Sequence, residues 1–253
     1  MNFLKTALTT LVCSAVATLS SAGTVHVVFD NPIFATSGYD NVIITFPGKS
    51  SGSSTENVLA GRFKGKASNL VDVDPTIFVD GVDNLYMYCY DVYENINSGW
   101  AVNYNVNLDG GTARTLDFLG AVNAVMNVGN SKFDQYAWLH PTSSTQSAAI
   151  QLGIWESLYE TTDTWNIASG AFSATGLESG TNTWLSTFFN SLASSSSIDP
   201  VYVMTLEAKG AQDMITGDPP SSVPEPGALT LLGTALLALA YSRRKTQGKK
   251  TQA

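Results

Sequence analysis

Residues 100–128, WAVNYNVNLDGGTARTLDFLGAVNAVMNV, decide the architecture, because the spacing of their apolar side chains changes midway. From 100 to 108 apolar and polar residues alternate, the period of a half-buried strand. After Gly111 the period becomes helical, with Leu116, Leu119, Val122 and Val125/Met126 on one side of residues 112–128. Upstream the chain reads as strands. Residues 24–29 and 41–46 are β-branched runs closed by Asn/Pro or Pro/Gly punctuation, and residues 85–93 are dense in β-prone aromatics. Residues 49–56, rich in Gly and Ser, read as a flexible loop. Downstream, helices are expected over 145–160 and over 177–192, the second carrying Trp184, Leu185, Phe188 and Phe189, before 201–206 returns to strand. This order predicts a single α+β domain over residues 23–215, a β-rich barrel-like or sandwich-like body with a helical insertion. No internal repeat is visible.

Composition narrows the function classes. Hydrophobic residues make up 44% of the 253 and charged ones only 13%, while 26 aromatics can fill a core. That is not a disordered composition. Residues 23–226 hold all 21 acids and seven of the 13 bases, a surplus of fourteen acids. A phosphate backbone would repel such a body, so no nucleic-acid partner is expected.

The two ends read as addresses. Residues 1–22 have a short positive start at Lys5, an uncharged apolar stretch, and small residues at Ser20 and Ala22 before a cut at Gly23, the pattern of a cleaved signal peptide. Cleavage removes Cys13 and leaves Cys89 as the single cysteine, so an exported chain has no internal disulfide. At the other end, a linker over 216–223 leads to Pro224-Glu225-Pro226, an apolar run over 228–241, and Arg243-Arg244-Lys245. At about 1.5 Å per residue that run is too short to cross a ~30 Å hydrocarbon core comfortably. It suits a short membrane or sorting helix held transiently in the inner membrane, with the basic tail 246–253 in the cytoplasm.

This order of Pro-Glu-Pro, apolar helix and Arg cluster resembles the PEP-CTERM signal of Gram-negative bacteria. The resemblance implies a segment 224–245 recognised by an exosortase and cleaved near Pro224-Glu225-Pro226. It also implies delivery to the cell surface or extracellular matrix. The same tail occurs on unrelated proteins, so it tells destination and not activity.

Familiar catalytic signatures are missing from the body. There is no phosphate loop, dinucleotide glycine fingerprint, paired-cysteine zinc spacing or nucleophile elbow. The acidic stretch Asp72, Asp74, Asp80, Asp83 lacks the spacing of a calcium loop and reads as solvated loop. Neither metal nor cofactor is expected.

Two short segments remain, Tyr88-Cys89-Tyr90-Asp91 on an aromatic strand and residues 150–156, IQLGIWE, on the middle helix. Helical stacking puts Gln151 on the stripe of Ile154, Trp155 and Leu158, facing the core. A buried carboxamide is costly unless hydrogen-bonded. It is also convertible: a cysteine thiolate attacking the Gln carbonyl expels ammonia and leaves an internal thioester, provided the fold holds both groups and stabilises the oxyanion. The packed alternative is an inert buried thiol beside a hydrogen-bonded Gln.

These residues resemble bacterial surface thioester domains. Tyr88-Cys89 is similar to their aromatic-Cys motif, and residues 150–155, with Gln151, Ile154 and Trp155, to their apolar-Gln-x-x-apolar-Trp helix. Cys89 and Gln151 are then the cross-linked pair, and the gap between them and the following Glu156 suit the family. The resemblance implies a covalent adhesin whose thioester captures a protein amine or glycan hydroxyl of an unknown surface or matrix partner. It is not a turnover enzyme. Thr145-Gln146 has the letters of the family's further Thr-Gln motif but directly precedes the helix motif, so no role is assigned to it. His140, eleven residues before Gln151, is either a base for an incoming nucleophile or a surface loop residue. Neither His140 nor His26 sits in a protease-like pattern. The rival reading is a non-covalent structural or binding protein of the exopolysaccharide or biofilm matrix.

Overall fold

The computed structural model describes residues 23–108 and 110–219. The expected signal peptide at 1–22, the second half of the expected linker (220–223), the sorting segment 224–245 and the tail 246–253 lie outside the described residues.

The body is a β-rich single unit with a few helices. In chain order it runs β1 (Thr24–Pro47), β2 (Ser53–Val71), β3 (Leu85–Cys89), β4 (Ala101–Leu108), α1 (Ala113–Met126), α2 (Ser144–Tyr159), β5 (Ser173–Thr175), α3 (Ser179–Ser191), β6 (Val203–Glu207) and β7 (Met214–Gly217). All pairings are antiparallel. They close a ring in which β1 pairs β2, β2 pairs β3, β3 pairs β7, β7 pairs β6, β6 pairs β4, and β4 returns to β1. Of the barrel and sandwich alternatives, the ring selects a barrel. β5 lies outside it, on the far half of β1 at Ile43–Thr45.

The runs at 24–29 and 41–46 are two halves of one long strand. Both alternate inward and outward, with Val25, Val27 and Phe29 buried in the first half and Val42, Ile44 and Phe46 in the second. Register shifts between Phe29, Phe34 and Tyr39 join them. The expected Gly/Ser loop shrinks to 48–52, because Ser53–Glu56 pair with Ile44–Pro47. β2 escaped the sequence reading because its apolar residues are sparse, and its strand character comes from pairing with β1.

β3 stops at Cys89, four residues before the aromatic run ends. Asp91 turns the chain there, accepting the N–H groups of Tyr93 and Glu94 on one oxygen and that of Asp213 on the other. The closing segment is two strands, β6 and β7, and β7 reaches past the expected boundary at 215. The three helices lie close to their expected spans. Thr112 caps α1 by accepting the Thr115 N–H, and Ser143 caps α2 by accepting that of Gln146. For α3 the acceptor comes from the barrel: buried Asp40 on β1 takes the Glu178 N–H at 2.9 Å and the Thr181 hydroxyl at 2.8 Å.

Helix α2 is buried on every side from Gln146 to Ser157, between β1 and β2 on one flank and α1 and α3 on the other. The expected single inward stripe is therefore too narrow, since a helix enclosed all round has no solvent face. Gly153 permits this closeness. A Cβ at that position would lie 1.9 Å from Cζ of Phe118 on α1.

The loop following α2 is tied to two carboxylates. Glu156 Oε1 accepts the Asn166 N–H at 3.0 Å, and Glu160 accepts four N–H groups, those of Thr161, Thr162, Ala171 and Phe172. Burial raises the Glu160 carboxyl, but those four bonds outweigh it and leave it below the usual range. Glu156 has one loop N–H and an unpartnered Oε2, so burial dominates and its pKa rises to about 7. The Glu160 charge adds to the rise and Arg114 opposes it.

Two outcomes are expected. Gly153→Ala forces the Phe118 ring or α2 to shift and lowers stability by about 1–3 kcal/mol, read from urea unfolding midpoints. For Glu156, the folded carboxyl holds its proton to higher pH than the unfolded one, so its contribution to stability falls as pH rises from 4.5 to about 7. Relative to wild type, Glu156→Gln therefore gains in melting temperature between pH 4 and pH 8; an equal offset at both pH values would show that this carboxyl is not the source.

Candidate functional site

The last residue of β3 and the middle of α2 meet in the buried interior. Cys89 is 2% exposed and Gln151 is fully buried. The Gln151 carboxamide binds the Cys89 backbone at two points. Its Oε1 accepts the Cys89 N–H at 2.9 Å, and its Nε2 donates to the Cys89 carbonyl at 2.8 Å. The side chain thus occupies the place a neighbouring strand would take, which satisfies a buried amide and fixes its orientation. Of the sequence-predicted residues, this is the pair the fold brings together.

The supporting residues hold the two elements in place. Tyr88 is buried, donates its hydroxyl to the Trp138 carbonyl at 3.3 Å, and packs its ring 6.0 Å from that of Trp138. Ile154 is fully enclosed, and Trp155 packs against Phe172. On β2, the Arg62 N–H donates to Ser147 on α2 at 2.7 Å, and its guanidinium lies over the Tyr86 ring and donates to the Leu139 carbonyl.

Cys89 and Trp155 also line a cavity of about 460 Å³. One wall is residues 56–59 of β2 and another is the loop 94–98, with Ile33, Phe34 and Ile44 between them. Burial pushes the Cys89 thiol well above its ordinary pKa, and the nearby Asp91 charge pushes the same way. The thiol is therefore protonated at neutral pH. Asp91 is itself raised by burial despite its three backbone donors.

Chemically, the site combines a thiol with an amide carbonyl whose oxygen already receives a fixed backbone N–H. A donor of that kind stabilises the charge that develops on the oxygen when the carbonyl carbon is attacked. The same two hydrogen bonds equally suit an unreactive, satisfied Gln.

His140 is engaged elsewhere. Its Nε2 meets Asp80 Oδ2 at 3.1 Å, its Nδ1 lies 3.6 Å from Asp134 Oδ2, and it is not among the residues lining the cavity. The Asp80 hydrogen bond raises its pKa against the effect of burial. Gln146 completes the α2 cap, its Oε1 accepting the Thr142 N–H at 2.7 Å. Of the acidic stretch, Asp74 caps a short turn through Thr76 and Asp80 holds His140. Among the described residues no cluster of three or more His, Cys, Asp or Glu is placed to hold a metal.

Sequence reasoning missed Asp91, Gln212 and the walls of the cavity. Gln212 donates to the Asp91 carbonyl at 2.8 Å, and Tyr104 donates to the Gln212 carbonyl at 2.9 Å. Asp91 alone carried a signal, as an acid two residues from the cysteine in an otherwise aromatic run.

Among the described residues no helix is long and apolar enough to cross a membrane. No curated protein and no solved structure matches the chain. Residues 222–245 match the PEP-CTERM protein-sorting motif, which includes Pro224, Glu225, Pro226, Arg243 and Arg244. The motif implies interaction with exosortase during sorting, export through the membrane, and a surface or extracellular location.

Proposed function

We propose that this exported protein is a covalent adhesin of a Gram-negative cell surface or biofilm matrix, armed by a thioester between Cys89 and Gln151. The reading rests on one observation above the others. The Gln151 carboxamide is locked against the backbone of Cys89, with the Cys89 N–H already bound to Oε1 at 2.9 Å.

In the arming step, Cys89 Sγ loses its proton and attacks Gln151 Cδ. The new C–S bond replaces the C–N bond, and Nε2 leaves as ammonia, carrying the thiol proton. In the capture step, an amine or hydroxyl of a protein or glycan attacks the same carbon. The C–S bond breaks, an amide or ester forms, and the sulfur regains a proton. No oxidant or cofactor is needed, and each molecule acts once. The cavity beside Cys89 offers the nucleophile a route, while the raised thiol pKa makes deprotonation the demanding part of arming.

A second reading is favoured by the completeness of the same hydrogen bonds. Both polar atoms of the carboxamide are partnered and the thiol is buried, as in a purely structural pair within a non-covalent matrix protein.

The intact mass of the purified chain, in a buffer free of amines and thiols, separates the two. The thioester reading expects a mass one ammonia below the sequence, no alkylatable thiol at Cys89, and methylamine incorporated at Gln151, with the mass deficit and the incorporation both abolished by Cys89→Ala. A mass equal to the unmodified sequence, with Cys89 fully alkylated on denaturation, establishes the non-covalent reading instead.

A further inference from the structure

The cavity beside Cys89 has an unusual wall. Residues 56, 57, 58 and 59 all line it, although successive side chains of a strand point to opposite faces. Four consecutive lining residues mean that the cavity runs along the edge of β2 and touches its backbone. That edge is unpaired. Residues 53–61 pair with β1 on one side, β3 takes up only Phe63–Gly65 on the other, and among the described residues no strand covers the outer edge of 53–61. In an antiparallel ribbon half of the N–H and C=O groups of such an edge point away from its partner strand. Residues 94–98 line the same space as a second consecutive run, and we call the space the slot.

The slot is also polarised. Glu56 and Glu94 line it, and no Lys or Arg does. Lys49 meets Glu94 at 2.9 Å from outside the lining, whereas Glu56 makes no ion pair among the described residues. The apolar floor is Phe63, Val92 and Trp155. A second copy of this chain adding through the same edge would bring a further Glu56 to the acidic slot, which like-charge repulsion disfavours.

We propose that the slot binds an extended segment of a partner protein by strand addition to residues 56–59 of β2, with a cationic lysine side chain directed to Glu56. Main-chain hydrogen bonds to the open edge supply the affinity, and the acidic wall and apolar floor select the side chains. The proposal goes beyond the covalent reading and does not require it, because docking involves no reaction of Cys89 or Gln151. It assigns the partner to polypeptide rather than glycan.

The test uses the intact wild-type chain and the peptide acetyl-Thr-Val-Lys-Val-Thr-amide with its lysine trimethylated, which keeps the charge but cannot be acylated. Strand addition expects binding that protects the amides of residues 56–59 from hydrogen exchange. It expects at least a tenfold loss of affinity when the two valine nitrogens are methylated, and a comparable loss when glutamate replaces the lysine. No binding, unchanged binding of the N-methylated peptide, binding without protection at 56–59, or an edge closed by self-association of the chain would each overturn it. Thioester formation is read separately by mass, so either proposal can fail alone.

Discussion

Helix α2 is enclosed on all sides from Gln146 to Ser157, so its polar groups need partners inside the protein, and of its buried side-chain atoms only Glu156 Oε2 and the Trp155 indole nitrogen lack one. The barrel is arranged around that requirement. Gln146 bonds back to the turn before the helix, Ser147 accepts from the β2 backbone, and Gln151 bonds the end of β3. Ser157 meets Thr115 on α1, and Glu156 holds the following loop. Each contact fixes α2 against a different neighbour, so its position along and around its axis is set by polar complementarity as well as by apolar packing.

The carboxylates show the same logic at different degrees of completion. Glu160 is saturated with backbone donors and stays acidic, whereas Glu156 has a single donor and one bare oxygen, and burial raises it. Asp91 lies between these cases: three backbone donors do not offset its burial. Its charge in turn holds the Cys89 thiol up. A carboxylate that shapes the turn after β3 therefore also adds to the effect of burial on the only cysteine left by the expected signal cleavage.

The Cys89–Gln151 pair and the cavity beside Cys89 come from separate parts of the chain. Cys89 and Gln151 are joined through β3 and α2, whereas the slot is bounded by the distal half of the β1–β2 ribbon and the loop before β4. The ribbon extends past the point where β3 joins β2, which is why its edge is open there. Cys89 lines the same cavity as residues 56–59 of β2, so the thiol and the unpaired edge of the ribbon border one space. The PEP-CTERM motif at 222–245 implies a surface or extracellular location for this body.

The sequence alone determined the parts governed by local rules. β-Branched runs closed by punctuation marked both halves of β1, alternation marked β4, the helical period marked α1, apolar patterning marked α2 and α3, and Pro224-Glu225-Pro226 marked the sorting motif. It singled out Cys89 and Gln151 through residue type and helical stacking, and the structure brings those two together. Other features were decided only by tertiary structure, because they depend on which segments become neighbours. β2 is a strand because β1 pairs with it, not because its own apolar residues alternate. β3 ends at Cys89 because Asp213 reaches the Asp91 carboxylate from far along the chain. His140 is turned to Asp80 and Asp134 rather than lining the cavity beside Cys89. The open edge of β2 has no local signature, since an unpaired backbone is defined by the absence of a neighbour.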